Sequence, residues 1–124
     1  MATILVIDDD DMVRTLLIRT LSRGGHQVAG AADGVEGVRY VQDNPVDLVI
    51  TDIFMPQQEG LATIMQLRRG CPGSRIIAIS GGGARESLDV LPVAEALGAA
   101  KTLRKPFTPA EVLAAVQEVL DGPD

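Results

Sequence analysis

The residues with chemical potential in this chain stand at the ends of apolar runs. Asp8 and Asp9 open a string of four acids, Asp8 to Asp11, that follows Thr3-Ile4-Leu5-Val6-Ile7 directly. Asp52 follows Leu48-Val49-Ile50-Thr51, Ser80 follows Ile76-Ile77-Ala78-Ile79, and Lys105 stands before Pro106 after the short run from Lys101 to Arg104. Capping and the helix dipole explain one or two acids at a helix start, at about 1 kcal/mol each, with Asp10 or Asp11 as the cap. Four acids in a row repel one another, so Asp8 and Asp9 need another reason. Brought beside Asp52 they would put three negative charges in one crevice, which is unfavourable unless protons or cations compensate. Mg²⁺ takes carboxylate, carbonyl and water oxygens, and together with Lys105 it would balance the three acids. A carboxylate next to Mg²⁺ and a lysine, with a hydroxyl at hand, has what is needed to accept a phosphoryl group, because that chemistry depends on positioning and charge neutralisation. Taken singly, each residue has a plainer use: Asp52 or Ser80 in a turn, Asp8 as a cap, Lys105 as a surface charge.

The elements that must hold these groups alternate along the chain. Thr3–Ile7 is an unbroken apolar run, and Val13, Leu16, Leu17 and Leu21 then follow at helical spacing until Gly24-Gly25 supplies a left-handed end. Gln27 to Ala31 reads as a weaker strand near a sheet edge, Asp33-Gly34 as a turn, and Val35 to Gln42 as a short helix with Val38 and Val41 inward. Asn44-Pro45 stops it before Leu48-Val49-Ile50, a strand buried on both faces that delivers Asp52 to its C-terminal end. Leu61, Ile64, Met65 and the stem of Arg68 mark a third helix with Met65 in the core, closed by Cys71-Pro72-Gly73. Ile76 to Ile79 is the fourth strand, followed by Gly81-Gly82-Gly83. Val90, Val93, Ala94 and Leu97 form a fourth helix delayed or kinked by Pro92 and ended by Gly98. A last short strand covers Lys101 to Arg104. Thr108-Pro109-Ala110-Glu111 is a capping box, opening a fifth helix whose stripe is Val112, Leu113, Val116, Val119 and Leu120, with a fraying tail from Asp121 to Asp124.

Five strands alternating with five helices imply an α/β fold, a five-stranded parallel sheet with helices on both faces and right-handed crossovers. Ligands of such sheets bind outside the C-terminal ends of the strands, where all five of the chosen residues lie.

Composition narrows the function. At 124 residues, 46% hydrophobic and 23% charged, the chain has the size and balance of one globular domain, and its apolar runs are too short to span a bilayer, which argues against membrane insertion. The N-terminus lacks the features of an export signal, so cytoplasm is the expected compartment. A net charge of -6 and the absence of Trp argue against direct nucleic-acid binding, and they favour a protein partner or a small phosphorylated compound. Cys71 is the single cysteine, which excludes an internal disulfide, and His26 has no partners for a metal or triad role. The glycines at 81 to 83 lack the Lys-Ser/Thr ending of a phosphate-binding Walker loop.

Taken as a set, Asp8-Asp9 after strand one, Asp52 with Met55-Pro56 and Gly60 after strand three, Ser80 after strand four and Lys105-Pro106-Phe107 after strand five resemble the receiver domain of two-component response regulators. The resemblance covers essentially the whole chain, as a single receiver over 1–120 with no output domain. It implies a flavodoxin-like doubly wound sheet of strand order 2-1-3-4-5. It implies Asp52 as phosphoacceptor, taking its phosphoryl group from a histidine kinase or histidine phosphotransfer protein. Mg²⁺ would be held by Asp9, Asp52 and the Phe54 backbone carbonyl, with Asp8 acting through water. Lys105 would pair with a phosphoryl oxygen. Ser80 would turn its hydroxyl to the phosphoryl group, drawing the 81–83 loop and the following helix with it. Such a domain is not an enzyme beyond its own phosphorylation and dephosphorylation, and the resemblance allows a phosphorylation-dependent homodimer.

Two positions depart from the family pattern. Thr102 stands where such domains usually carry Tyr or Phe, so an aromatic swinging inward as Ser80 moves cannot read the switch. Phe54, two residues after Asp52, has no hydrogen-bonding side chain to orient a hydrolytic water, which implies slow to moderate self-dephosphorylation. Three other readings stay open at this point. A docking domain that is never phosphorylated would keep the same fold. An aspartate-nucleophile phosphatase of the haloacid-dehalogenase type would want Asp-x-Asp where Phe54 stands. A flavodoxin-like cofactor domain would need an aromatic to stack on its ring and would repel a flavin phosphate with its acids.

Overall fold

Alternate residues of each central strand belong to two separate apolar cores, one on each side of the sheet, and this pattern sets the architecture. The computed structural model describes residues 2–53, 60–70, 73–80 and 98–122, with 60 and 61 as backbone only. Leu5, Ile7, Val49, Ile76 and Ala78 face one core with Val41, Ile64 and Leu67, while Ile4, Val6, Leu48, Ile50, Ile77 and Ile79 face the other with Leu17, Leu21, Val112 and Val116. A period of two with both faces apolar is the signature of a parallel strand covered on both sides.

The strands are β1 (Thr3–Ile7), β2 (Gln27–Ala31), β3 (Leu48–Asp52), β4 (Arg75–Ser80) and β5 (Lys101–Arg104). They form one sheet of order β2-β1-β3-β4-β5, parallel at every pairing. The order reverses at β1, with β2 on one side and β3 on the other, so the crevice above β1 and β3 is where a doubly wound sheet opens for a ligand. The expected fold class and strand order are those observed.

Among the described residues the helices are α1 (Asp11–Arg23), α2 (Gly34–Asp43), α3 (Gly60–Gly70) and α4 (Pro109–Asp121). Helices α1 and α4 contribute to one core and α2 and α3 to the other. Asp10 caps α1, its side chain accepting from the amides of Met12 and Val13, and Gly25 adopts the left-handed φ of +93° just past the helix end. Asp33 caps α2, and Thr108 with Glu111 closes a capping box on α4 with Pro109 in its first turn.

The helix expected over 90–97, the loop at 81–83, Phe54 to Pro56 and the Cys71-Pro72 stop all lie outside the described residues. Gly98, expected to end that helix, has φ +118°. Among the described residues no helix is long and apolar enough to cross a membrane.

Three details depart from the sequence reading. Leu16 and Met65, counted as core, are 50% and 45% exposed. Successive residues of a helix point about 100° apart, so with Leu17 and Leu21 centred on the core Leu16 falls beside the stripe, and Thr20 takes the inward place. Likewise Thr63, Ile64 and Leu67 define the buried side of α3 and turn Met65 outward. Asp121, placed in the fraying tail, is instead the last residue of α4, where its carboxylate accepts from the Gln117 side chain at 2.8 Å.

Candidate functional site

The sheet register brings the acids together. Val6 pairs with Ile50 and Ile7 with Thr51, so continuing the same register by one residue sets Asp8 beside Asp52 on neighbouring strands about 4.8 Å apart. Asp8 shares the parity of Ile4 and Val6, and Asp52 that of Leu48 and Ile50, so both carboxylates issue on one face. They do so just past the apolar core, yet remain only 1% and 4% exposed. Burying ionised carboxylates costs several kcal/mol each unless charge and hydrogen bonds compensate.

Part of the compensation is Lys105. Its Nζ donates to Oδ2 of Asp8 and to Oδ2 of Asp52, each at 3.1 Å. The backbone places it there: the Lys105 amide donates to the Ser80 carbonyl at 2.7 Å, at the end of the β4–β5 pairing. Burial would lower the Lys105 pKa, but the negative charges of Asp52 and then Asp8 outweigh it and hold the pKa above its usual value. The ammonium is therefore charged throughout the physiological range. Asp8 is further fixed by the Asp10 amide, which donates to Oδ1 at 2.9 Å, and by its own amide on the Ala31 carbonyl.

Asp9 completes the cluster. One carboxylate oxygen from each of Asp8, Asp9 and Asp52 lies within 4.8 Å of the others, with Asp9 exposed and the other two buried. Lys105 neutralises one charge of three and leaves a pocket of hard oxygen donors in excess of positive charge, open on the Asp9 side to water. That donor set suits a small divalent ion that keeps part of its hydration shell, and excludes the soft or imidazole-rich sets of zinc and copper. Three of the four expected ligands thus converge, and the fourth, the Phe54 carbonyl, lies outside the described residues. Ser80 ends β4 at the same edge, 1% exposed, one residue past Ile79, which pairs with Asp52.

Residues 4–117 match the family described as the response regulator receiver domain. The chain belongs to this family. Relatives of the receiver include the DNA-binding transcriptional regulator NtrC of Azospirillum brasilense, 38% identical over 121 residues that cover 98% of this chain and 24% of that protein. The alkaline phosphatase synthesis transcriptional regulatory protein PhoP of Bacillus subtilis is 34% identical over 117 residues, covering 94% of this chain and 48% of that protein. The receiver thus spans between about a quarter and a half of these relatives. Among solved structures, the receiver domain of NtrX from Brucella abortus superimposes with a TM-score of 0.89 at 27% identity, covering 97% of this chain and 99% of that one. A CheY-like receiver domain protein from Methanospirillum hungatei does so with 0.85 at 27% identity, covering 98% and 94%. The chain is a receiver domain of two-component response regulators, and nothing observed favours the phosphatase, flavin or unphosphorylated readings.

His26, set aside in the sequence, has a structural use: its Nδ1 accepts from the Ala2 amide at 3.1 Å, at the opposite edge of the sheet. One residue beside the receiver's acid cluster escaped sequence reasoning. Arg14 donates from Nη1 to the Asp8 carbonyl at 2.7 Å and from Nη2 to the Asp11 carboxylate. The available signal was a lone base in the first turns of α1, three residues after Asp11, a spacing at which helical side chains meet.

Proposed function

We propose that Asp52 accepts a phosphoryl group from a phosphohistidine donor, carried by a histidine kinase or a histidine phosphotransfer protein, and that the resulting acyl phosphate changes which protein the receiver binds. The observation that carries this reading is the Lys105 ammonium shared between Asp8 and Asp52, each at 3.1 Å, in a buried pocket with a third acid at its mouth.

In the transfer, an Asp52 carboxylate oxygen forms a bond to phosphorus as the phosphorus–nitrogen bond to the donor imidazole breaks, and the imidazole keeps the electron pair. Asp52 is held at the C-terminal end of β3, and fixing the acceptor in this way supplies part of the positioning on which phosphoryl transfer depends. Lys105, already within hydrogen-bond reach of Asp52, pairs with a phosphoryl oxygen as charge moves onto it. Asp8, Asp9 and Asp52, with the Phe54 carbonyl, would hold Mg²⁺, which when bound neutralises charge on the transferring group.

Ser80 then donates its hydroxyl to the phosphoryl group, and the displacement of β4's end is the switch, read without an aromatic at Thr102. Phe54 gives hydrolysis no help, so phospho-Asp52 decays at a slow to moderate rate. The partner is a protein rather than DNA, in keeping with the net charge of -6, and the compartment is the cytoplasm. The proposed unit is a receiver over 1–120 acting through docking or phosphorelay.

The test is intact mass after incubation with acetyl phosphate and Mg²⁺, on the native protein, Asp52→Asn and Phe54→Asn. One added phosphoryl group in the native protein and none in Asp52→Asn, with a shorter-lived product in Phe54→Asn, is expected. Folded, Mg²⁺-binding protein that gains no mass would leave the unphosphorylated docking domain as the better account.

A further inference from the structure

The Arg14 side chain is 19% exposed, whereas its partner Asp11 is 85% exposed. An arginine whose only use is a surface ion pair gains 0–1 kcal/mol or so and would reach into solvent to make it. Here the guanidinium is instead drawn in against the backbone at the end of β1, donating to the Asp8 carbonyl at 2.7 Å. The stem lies over β2 at Gly30, where an added Cβ would come within 3.2 Å of Arg14 Cδ and 2.8 Å of Ile18 Cδ1. Gly30 thus leaves the room the stem occupies.

The bond matters because of what shares its plane. The Asp8 carbonyl, the Asp9 amide and the Asp9 Cα are atoms of one rigid peptide unit, so holding the oxygen orients the departure of Asp9 from the strand. Asp8 itself is tied by its amide to Ala31, by Oδ1 to the Asp10 amide and by Oδ2 to Lys105. Asp9 is exposed, and among the described residues no hydrogen bond or ion pair aims its carboxylate. Its direction therefore follows its backbone, in which the Asp10 amide fixes the peptide after Asp9 and Arg14 holds the carbonyl of the peptide before it.

We propose that Arg14 is a positioning residue of the cation site: by gripping the Asp8 carbonyl across Gly30 it aims Asp9 at the crevice shared with Asp8 and Asp52. This rests on the reading of that cluster as a Mg²⁺ site. Groups that orient metal ligands from behind change affinity by about 10- to 100-fold when removed. Charge acts in the opposite direction, since deleting a cation near a carboxylate cluster tightens the binding of a divalent ion. The sign of the change therefore separates positioning from electrostatics.

The experiment is calorimetric titration of Mg²⁺ into the native protein, Arg14→Met, Arg14→Lys, Gly30→Ala and Asp11→Ala, each checked for its unfolding transition. Positioning requires Mg²⁺ affinity about tenfold weaker in Arg14→Met, weaker also in Arg14→Lys although the charge is kept, and no tighter than native in Gly30→Ala, whose Cβ presses on Ile18 and on the stem. Asp11→Ala should stay within about twofold of native, because the Asp8 carbonyl bond survives. Native-like or tighter binding in a folded Arg14→Met overturns the proposal. Should Arg14→Met fail to fold, unchanged affinity in Arg14→Lys overturns it instead. A native protein that binds no Mg²⁺ removes the cation reading and this one with it, whereas native binding with indifferent variants removes only the role of Arg14.

Discussion

Lys105 is one cation serving two buried acids, and at the scale of the residue that sharing predicts how it competes with metal. Replacing it with Met leaves Asp8 and Asp52 facing each other uncompensated, so Lys105→Met should bind Mg²⁺ more tightly, on the order of tenfold, while accepting phosphoryl groups more slowly. Titration calorimetry and the rate of mass gain from acetyl phosphate read the two effects. Weaker Mg²⁺ binding in Lys105→Met would show that the lysine does not oppose the ion. The pH dependence has a fixed sign. Burial lowers the Lys105 pKa, Asp52 and Asp8 raise it further than that, and the folded value ends above the ordinary 10.5. A group raised on folding contributes stability that is complete below the unfolded pKa and is lost as pH rises through the folded one. The difference in urea midpoint between the native protein and Lys105→Met should therefore stay constant from neutral pH, where Asp8 and Asp52 are ionised, up to about pH 10 and shrink above it.

At the scale of the element, α1 does two jobs at its two ends. Its N-terminus carries Asp10 as cap and Arg14 against the acid turn, while Leu17, Thr20 and Leu21 bury the rest in the core shared with α4. Leu21 is fully buried, so Leu21→Ala should cost about 2–5 kcal/mol in a denaturant titration and leave Mg²⁺ affinity at its native value. Leu16→Ala, one step off the stripe, should fall within about 0.5 kcal/mol of native, as exposed substitutions do. Equal losses at the two positions would mean that the helix is rotated from the face described. The helical stripes were legible from spacing alone, but spacing tolerates an error of one residue in where the stripe is centred. Leu16 and Met65 show this: apolar type suggested core, and only packing against β1 and β3 decided which neighbours faced inward.

At the scale of the whole molecule, a chain of net charge -6 gathers three of its 17 acids, Asp8, Asp9 and Asp52, at one sheet edge. A ligand that binds only the folded state stabilises it by about 2.7 kcal/mol at a hundred times its dissociation constant. Saturating Mg²⁺ should therefore raise the thermal midpoint of the native protein, and Asp9→Ala should lose most of that shift while its midpoint in chelator is no lower than native, because one of three mutually repelling acids is gone. Sodium chloride at matched ionic strength serves as the control, since screening of surface charge is not specific to the ion. An equal rise in Asp9→Ala would show that Mg²⁺ acts elsewhere.

The amino-acid sequence determined which groups end the strands and which strands are buried on both faces, because apolar runs of five residues and their polar stops are local properties. It also determined the helix ends that carry their own chemistry, as at Asp10, Gly25 and the Thr108–Glu111 box. The tertiary structure decided which acids meet. Asp8 and Asp52 are 44 positions apart, and they lie side by side because β1 pairs with β3 in the one register that aligns Val6 with Ile50. A slip of one residue would have sent Asp52 to the other face. It also decided that Lys105 reaches both of them, since its amide is tied to the carbonyl of Ser80. And it gave Arg14 a place the sequence could not show, because a bond to a backbone carbonyl leaves no mark on the identity of the residue that accepts it.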